Sequence, residues 1–449
     1  MKPIAQLILP EILDIVSRGE PAEIKEVLEQ LHPADVSVVI GELSDDSAMA
    51  LFLAAPREQR VAVFEHLEED QQERVLKLVG ARAMVPIVEE MASDDRADLL
   101  QSLPKRLADA LIEELSRPEQ QDVAALIQYP EKTAGAIMTT EFAVVPANAT
   151  VSAAMDHLRK VAPHRETIYY VYVTDEEEHL TGVLSLRDLV LADPSAVVRS
   201  IMRENPIALP VDCDQEEVAN QLAKYDFLAV PIVDSKLRLV GIVTHDDAID
   251  VIHEESTEDA QRMGAITPLQ ETYLQTGFWD ILRKRGIWLA ILFFAVMYTG
   301  TALRLFEDTI KSMSILVVFV PLIVSTGGNV GSQSATLIIR ALAVGDIRLK
   351  DWGRVTWREV RTGAALGLFL GLMGVVRALL WNTGPGVALV VGLTVLGIVI
   401  WAALVGSLLP IALRRMGMDP AVASAAFIAS IVDVVGIVMY FSIAKLLLF

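Results

Sequence analysis

Asp433 is the residue of this chain that most needs a chemical reason. It lies near position 13 of a closing segment, "ASIVDVVGIVMYFSIAKLLLF" and the residues before it, that is long and apolar enough to cross a membrane. A carboxylate at the centre of such a helix costs about 2.5 to 3.5 kcal/mol on insertion scales, so it turns to protein or to water. A second apolar segment, "VFVPLIVSTGGNVGSQSATLIIRAL", follows Pro321 with Ser325, Thr326, Gly327, Gly328, Asn329, Gly331, Ser332, Gln333 and Ser334. Glycines alone would serve close helix packing, whereas the added hydroxyls and amides suit a hydrated path. An anionic group among neutral oxygens fits a hard dication that keeps its water, as Mg²⁺ does. One aspartate per chain is few for a dication, and a symmetric dimer would set two Asp433 carboxylates about one axis. The competing reading is structural, with Asp433 bonded to a Ser or Thr of a neighbouring helix. The membrane half offers no thiolate and no histidine cluster, which disfavours zinc and copper.

The other concentration of carboxylates lies in the front of the chain. Up to residue 270 there are 50 acidic against 23 basic side chains; from 271 onward there are 9 against 15. The contrast predicts an acidic, water-facing region attached to a membrane domain, with nucleic acid excluded as a partner. Cys213 is the lone cysteine, so no intrachain disulfide is expected. The first twenty residues carry an apolar patch that charges and Pro10 interrupt too soon for a signal peptide. Single carboxylates such as Asp45, Asp46, Asp94 and Asp95 suit helix N-caps. Taken together, facing acidic surfaces repel unless a dication bridges them.

Three kinds of element must position these groups. Leu43, Leu67, Met91 and Leu115 recur every 24 residues in "ELSDD", "HLEED", "EMASDD" and "ELSRPE", with Pro56, Gly80 and Pro104 between them, which predicts stacked short helices in a small α-solenoid over 1–130. Residues 131–250 hold a duplication in which "YYVYV", "GVLSL", "AVPIV" and "GIVTH" read as buried strands. Each copy has an Ile-Met pair and a Gly-h-h-Ser/Thr-x-x-Asp signature, at Gly182 to Asp188 and Gly241 to Asp247, and so resembles a tandem pair of CBS modules. An acidic helix candidate at 246–266 joins that pair to the membrane domain, 271–449, and five segments could span it: 286–306, 314–342, 362–381, 386–413 and 421–448. Basic residues at 283–285, 340–361 and 414–415 fall on one side, which puts the N-terminal half in the cytosol and the C-terminus outside the cytoplasmic membrane.

This order of parts, with "STGGNVGSQSATLIIRAL" and "DPAVASAAFIASIVDVVG", resembles the MgtE family of magnesium channels and transporters over nearly the whole chain. The resemblance implies a multidomain membrane protein: N-terminal α-solenoid, tandem CBS (α+β) pair, a connecting plug helix at 251–270 and a five-helix transmembrane domain. It implies a homodimer with its pore between subunits, Asp433 selecting the ion, the Ala429 carbonyl facing the hydrated ion, and Asn329 along the same path. Regulatory Mg²⁺ ligands carry over to Asp94, Asp95 and Asp98, to Asp212, Asp214, Glu216 and Glu217, to Asp247 and Asp250, to Glu255, Glu258 and Asp259 of the plug, and to Asp419. One family acid is His253 here, and the family's "GP" is Ala425 and Ala426. CBS pairs also take nucleotides, and Arg187 beside Asp188, with Tyr170 and Phe227 for stacking, favours ATP in the first half-site. An enzyme is not expected, since no nucleophile–base pair, Walker loop or HExxH is present. The alternatives are a CBS-regulated transporter of Co²⁺ or Mn²⁺ and a non-conducting Mg²⁺ sensor.

Overall fold

The 24-residue period becomes a stack of paired helices in the computed structural model, which describes residues 9–15, 21–269 and 273–449. Much of the N-terminal apolar patch lies outside the described residues. The chain forms two compact units, Met1–Ile252 and His253–Phe449.

In the first unit the solenoid comprises α1 (Pro21–Leu28), α2 (Pro33–Glu42), α3 (Asp45–Ala54), α4 (Arg57–Glu65), α5 (Glu69–Val79), α6 (Ala81–Val88), α7 (Ser93–Ser102), α8 (Lys105–Glu114) and α9 (Arg117–Leu126). Leu43, Leu67, Met91 and Leu115 are all buried, each at the start of the turn that leads to the next helix. Pro56, Gly80 and Pro104 take the N-cap positions of α4, α6 and α8. The acidic pairs differ from expectation: the N-caps of α3 and α7 are Ser44 and Ala92, neither with a side-chain cap bond, and Asp45, Asp46, Asp94 and Asp95 occupy the first turn. There they favour the positive end of the helix dipole rather than satisfy an amide as a cap.

The duplicated region follows as two small sheets. The first joins β1 (Val144–Pro146), β2 (Tyr170–Thr174), β3 (Leu180–Ser185) and β4 (Arg203–Glu204), with α10 (Val151–Val161) and α11 (Leu186–Leu191) between strands. The second joins β5 (Leu209–Pro210), β6 (Ala229–Val233) and β7 (Leu239–Thr244), with α12 (Gln215–Tyr225) after β5. The Ile-Met pairs are exchanged between copies. A Cβ on Gly182 would lie 2.6 Å from the Met202 sulfur, and one on Gly241 would lie 2.6 Å from that of Met138, so each copy's glycine makes room for the other copy's methionine. Both signature aspartates bond back to the hydroxyl three residues before them, Ser185 to Asp188 at 2.7 Å and Thr244 to Asp247 at 2.5 Å.

One helix, α13 (His245–Met263), runs out of the first unit into the second. The second unit then contains α14 (Phe278–Leu305), the short α15 (Glu307–Ser312), α16 (Val320–Ala343), α17 (Trp352–Leu380), α18 (Pro385–Arg415) and α19 (Ala425–Leu448). All but α15 are long and apolar enough to span a membrane, with mean hydropathies from 1.8 to 2.7. α14 and α17 start earlier than the apolar runs, at 278 rather than 286 and 352 rather than 362, because charged turns continue each helix past its apolar stretch. Pro321 does not interrupt α16 but opens it, where its missing amide hydrogen costs no hydrogen bond. α17 and α18 approach closely along Gly363, Gly367 and Gly371, and a Cβ on Gly371 would come within 2.8 Å of the Gly392 carbonyl.

Candidate functional site

The membrane site is built where α16 meets α19. Gly327, Gly328 and Gly331 let the helices touch: a Cβ on Gly327 would fall 2.6 Å from Val432, and one on Gly331 would fall 2.8 Å from Ile428. From Gly328 the same construction lies 3.4 Å from the Ala429 Cβ and 3.9 Å from Asp433 Oδ1, so the glycine-rich run and the aspartate share one level of the membrane domain. Ser332 Oγ donates to the Ala425 carbonyl at 3.3 Å and ties the two helices at the start of α19. Asp433 is the ninth residue of α19, roughly 12 Å from its start, nearer that end than the sequence reading put it. The Pro420–Val422 turn and the Ser424 cap take up the residues before it.

Two features bear on what Asp433 does. Among the described residues it has neither a hydrogen bond nor an ion pair, and Ser430, the nearby hydroxyl, donates instead to the Ala426 carbonyl of its own helix at 3.0 Å. The interhelical-bond reading therefore finds no partner. Along α16, Ser325, Asn329, Gln333 and Thr336 are exposed at helical spacing, while Gly327, Gly331, Ser334 and Ile338 are buried on the opposite side. A membrane-spanning helix thus shows a hydrophilic stripe on its uncovered face, in which Asn329 follows directly on Gly328, the glycine that faces the Asp433 carboxylate.

In the first unit, folding brings together Asp94 on α7, Asp247 on α13 and Glu166 in the loop before β2, with one oxygen of each within 4.8 Å of the others. Asp94 is buried, and its Oδ1 has no hydrogen-bond partner. Burial first, then the charges of Asp247 and Glu166, raises its carboxyl well above the usual range. Burial likewise lifts Asp247 to about 7, against the hydrogen bond from Thr244. Three acceptor-only groups aimed at one point, one of them orphaned, fit a hard dication held through oxygen. The other expected ligands lie elsewhere. Asp95, Asp98 and Asp250 flank this group on α7 and α13. Asp214 caps α12, accepting from the Glu216 amide at 2.8 Å, and with Asp212 and Glu217 it surrounds Cys213, whose thiol burial and these charges push up to about 11.

In the second unit the end of α13 is held by Arg262, which donates to Glu258 at 2.7 Å and also to Asp419. Asp419 in turn accepts from the Ala421 amide at 2.7 Å and so caps the turn that leads into α19. Burial, then the charges of Asp419 and Glu255, raises the Asp259 carboxyl. Glu255, Glu258, Asp259 and Asp419 are thus drawn to one end of α13, with an arginine among them.

The CBS pair encloses a cavity of about 370 Å³ lined by Tyr170, Ser185, Asp188, Arg203 and Phe227 among others. Tyr170 and Phe227 meet edge to face, 6.4 Å between centroids. Hydrogen bonds from Ser185 keep the Asp188 carboxyl below the usual range. Arg187 is exposed and does not line the cavity; Arg203, on β4, supplies its cation.

Three family models match: the MgtE intracellular N domain over 31–132, the CBS domain over 134–195 and 198–254, and a divalent cation transporter domain over 320–443. The magnesium transporter MgtE of Thermus thermophilus is 41% identical over 440 residues, 97% of each chain. The chain belongs to the MgtE family. The Bacillus subtilis MgtE is 31% identical over 439 residues, covering 98% of this chain and 97% of that one. Among solved structures, the cytosolic domain of the Mg²⁺ channel MgtE in complex with ATP is 39% identical, with a TM-score of 0.52, and covers 54% of this chain and 99% of that one. The soluble part of a magnesium transporter has a TM-score of 0.53 at 36% identity, covering 56% and 99%. Two residues at these sites escaped the sequence reading. Glu166 stands in an irregular segment with no spacing to mark it, and Arg203 follows the second Ile-Met pair directly, which was the available signal.

Proposed function

We propose that the chain is a homodimeric Mg²⁺ channel or transporter of the cytoplasmic membrane, with its path lined by Asp433, the Ala429 carbonyl and Asn329. The observation that carries this reading is the exposed stripe Ser325, Asn329, Gln333 beside a carboxylate that bonds to nothing among the described residues. Lipid cannot satisfy such a face, so it turns to water. A second copy about a two-fold axis would close two stripes on one hydrated path and set two Asp433 carboxylates beside it. Mg²⁺ as the cargo agrees with the names of the relatives and with an all-oxygen lining that leaves the ion's water in place. The basic flanks at 283–285, 340–361 and 414–415 favour an N-terminal half in the cytosol and a C-terminus outside.

Conduction is governed from the cytosolic side. Asp94, Glu166 and Asp247 would hold a regulatory Mg²⁺, which supplies the charge that offsets their repulsion. Ionised and unbridged, the three push α7 away from α13. α13 is continuous to Arg262, whose bond to Asp419 reaches the turn before α19, so a shift of α13 is felt at the helix that bears Asp433. Asp95, Asp98, Asp250, Glu255, Glu258 and Asp259 extend the acidic surface along the same helices, and Asp212, Asp214, Glu216 and Glu217 form a separate acidic group. The cavity takes ATP, with the base against Tyr170 and Phe227 and the phosphates toward Arg203.

Thiol labelling tests the hydrated face. In a Cys213→Ser background, Asn329→Cys and Gln333→Cys are expected to react with a membrane-impermeant thiol reagent, and Leu368→Cys, exposed on α17, is not. Equal protection of all three would count against a water-filled path along α16.

A further inference from the structure

We propose that the start of α17 is a binding surface for anionic phospholipid. Lys350, Arg354, Arg358 and Arg361 recur at intervals of four, four and three, which puts them on one face of the helix and of the turn before it. Trp357, 64% exposed, lies on the same face, and Trp352, 56% exposed, opens the helix on its other side. The opposite face is engaged: Val355 is buried, Glu359 accepts from Ser334 Oγ at 2.8 Å, and Gly363 packs against Ile400 and Ala403 of α18. The cationic face is therefore the one turned away from the protein.

These cations lack counter-charges. Among the described residues, Lys350, Arg358 and Arg361 make no ion pair, and Arg354, its side chain 91% exposed, reaches only Asp351 at 3.7 Å. Like charges at i, i+4 repel, so an array of four with a single long ion pair among them weakens its own helix unless anions lie alongside. From Arg354 to Arg361 the stripe advances roughly 10 Å along the axis, and Leu366, Leu368 and Phe369 continue the helix as exposed apolar surface. Arg361 consequently sits at the border of the apolar layer. At that depth a guanidinium needs an anion within reach of a long side chain, and the phosphate of a lipid headgroup is the anion available there. The tryptophans mark the same level, since indole rings favour the membrane–water interface. Guanidinium groups also match phosphate in a planar, two-pronged geometry that zwitterionic headgroups screen with their own ammonium.

Native mass spectrometry of the full chain in mixed phosphatidylglycerol and phosphatidylcholine membranes tests this. Wild type is expected to retain phosphatidylglycerol in preference to phosphatidylcholine. The combined Arg354→Gln, Arg358→Gln, Arg361→Gln variant should lose that preference by roughly fivefold per charge removed, at the strength usual for basic residues near an anionic surface. The same three positions changed to Lys should retain most of it. Arg283→Gln, Lys284→Gln, Arg285→Gln, an equal loss of charge within α14, should cost clearly less of it, because Lys284 is already paired with Asp280 at 3.5 Å. If the triple glutamine variant does not insert, Arg358→Gln alone should still show a loss of about fivefold. Unchanged preference in either glutamine variant of α17, or an equal loss in the control within α14, overturns the proposal.

Discussion

Replacing Asp247 by Asn should make the metal-free first unit more stable, not less, at slightly alkaline pH. Burial raises the Asp247 carboxyl from its usual 3.8 to about 7, so the folded state prefers it protonated. For a carboxyl raised in this way the associated stability is fully present below about pH 4 and is lost as pH rises through about 7. Three pK units set a ceiling of roughly 4 kcal/mol, and the partly open flank of the site screens about half, leaving about 2 kcal/mol. Asparagine keeps an acceptor for Thr244 and carries no charge at any pH. The expected result without Mg²⁺ at pH 8 is therefore about thirtyfold slower hydrogen exchange in peptides of α7, for exchange that requires opening of this unit. At pH 4 the two proteins should match, because both are then neutral at 247. Saturating Mg²⁺ should reverse the order at pH 8, since wild type gains binding energy that the variant forgoes. Hydrogen exchange is the suitable probe because all six tryptophans lie at 279 or beyond and report only the membrane half. Faster exchange in the variant at pH 8 without Mg²⁺ would refute the repulsion argument.

Two further outcomes follow from single groups. Arg96 is buried against Glu119 at 2.8 Å, Asp122 at 3.5 Å and Glu141 at 3.6 Å, so Arg96→Met leaves three carboxylates uncompensated and should destabilise the first unit by about 3 to 5 kcal/mol in denaturant unfolding. That deficit should shrink below about pH 7, where Glu141 takes up a proton; a deficit independent of pH would tell against the charge account. Calorimetric titration with ATP should show roughly tenfold weaker binding for Arg203→Gln and little change for Arg187→Gln, in keeping with one lost charged hydrogen bond. The reverse order would place the phosphates on the other side of Asp188.

Much of this architecture was legible because it is periodic in one dimension. A 24-residue spacing needs no knowledge of partners, and the repeated Ile-Met and glycine signatures announced two copies of one module. What the chain could not announce were meetings between segments remote in sequence. Glu166 joins Asp94 and Asp247 only after the solenoid, the loop before β2 and α13 have packed. Arg187 neighbours Asp188 in sequence, but successive residues on a helix diverge by about 100°, and the cavity takes its cation from Arg203 on the strand paired with β3. The acidic pairs were read as caps from composition, whereas the chain enters α3 and α7 through Ser44 and Ala92. The polar run of α16 was visible as composition, and only the helix separates its buried glycines from its exposed amides.

The central claim is that Asp433 governs the passage of Mg²⁺, and the most direct measurement is Mg²⁺ flux into liposomes reconstituted with equal amounts of wild type and Asp433→Ala. Loss of the carboxylate from the proposed path between two copies should cut the flux at least about tenfold, the factor set by some 1.4 kcal/mol of lost attraction. The variant should keep its fold, because no group among the described residues depends on that carboxylate for a hydrogen bond. Mg²⁺ flux equal to wild type from a folded Asp433→Ala protein would contradict the account.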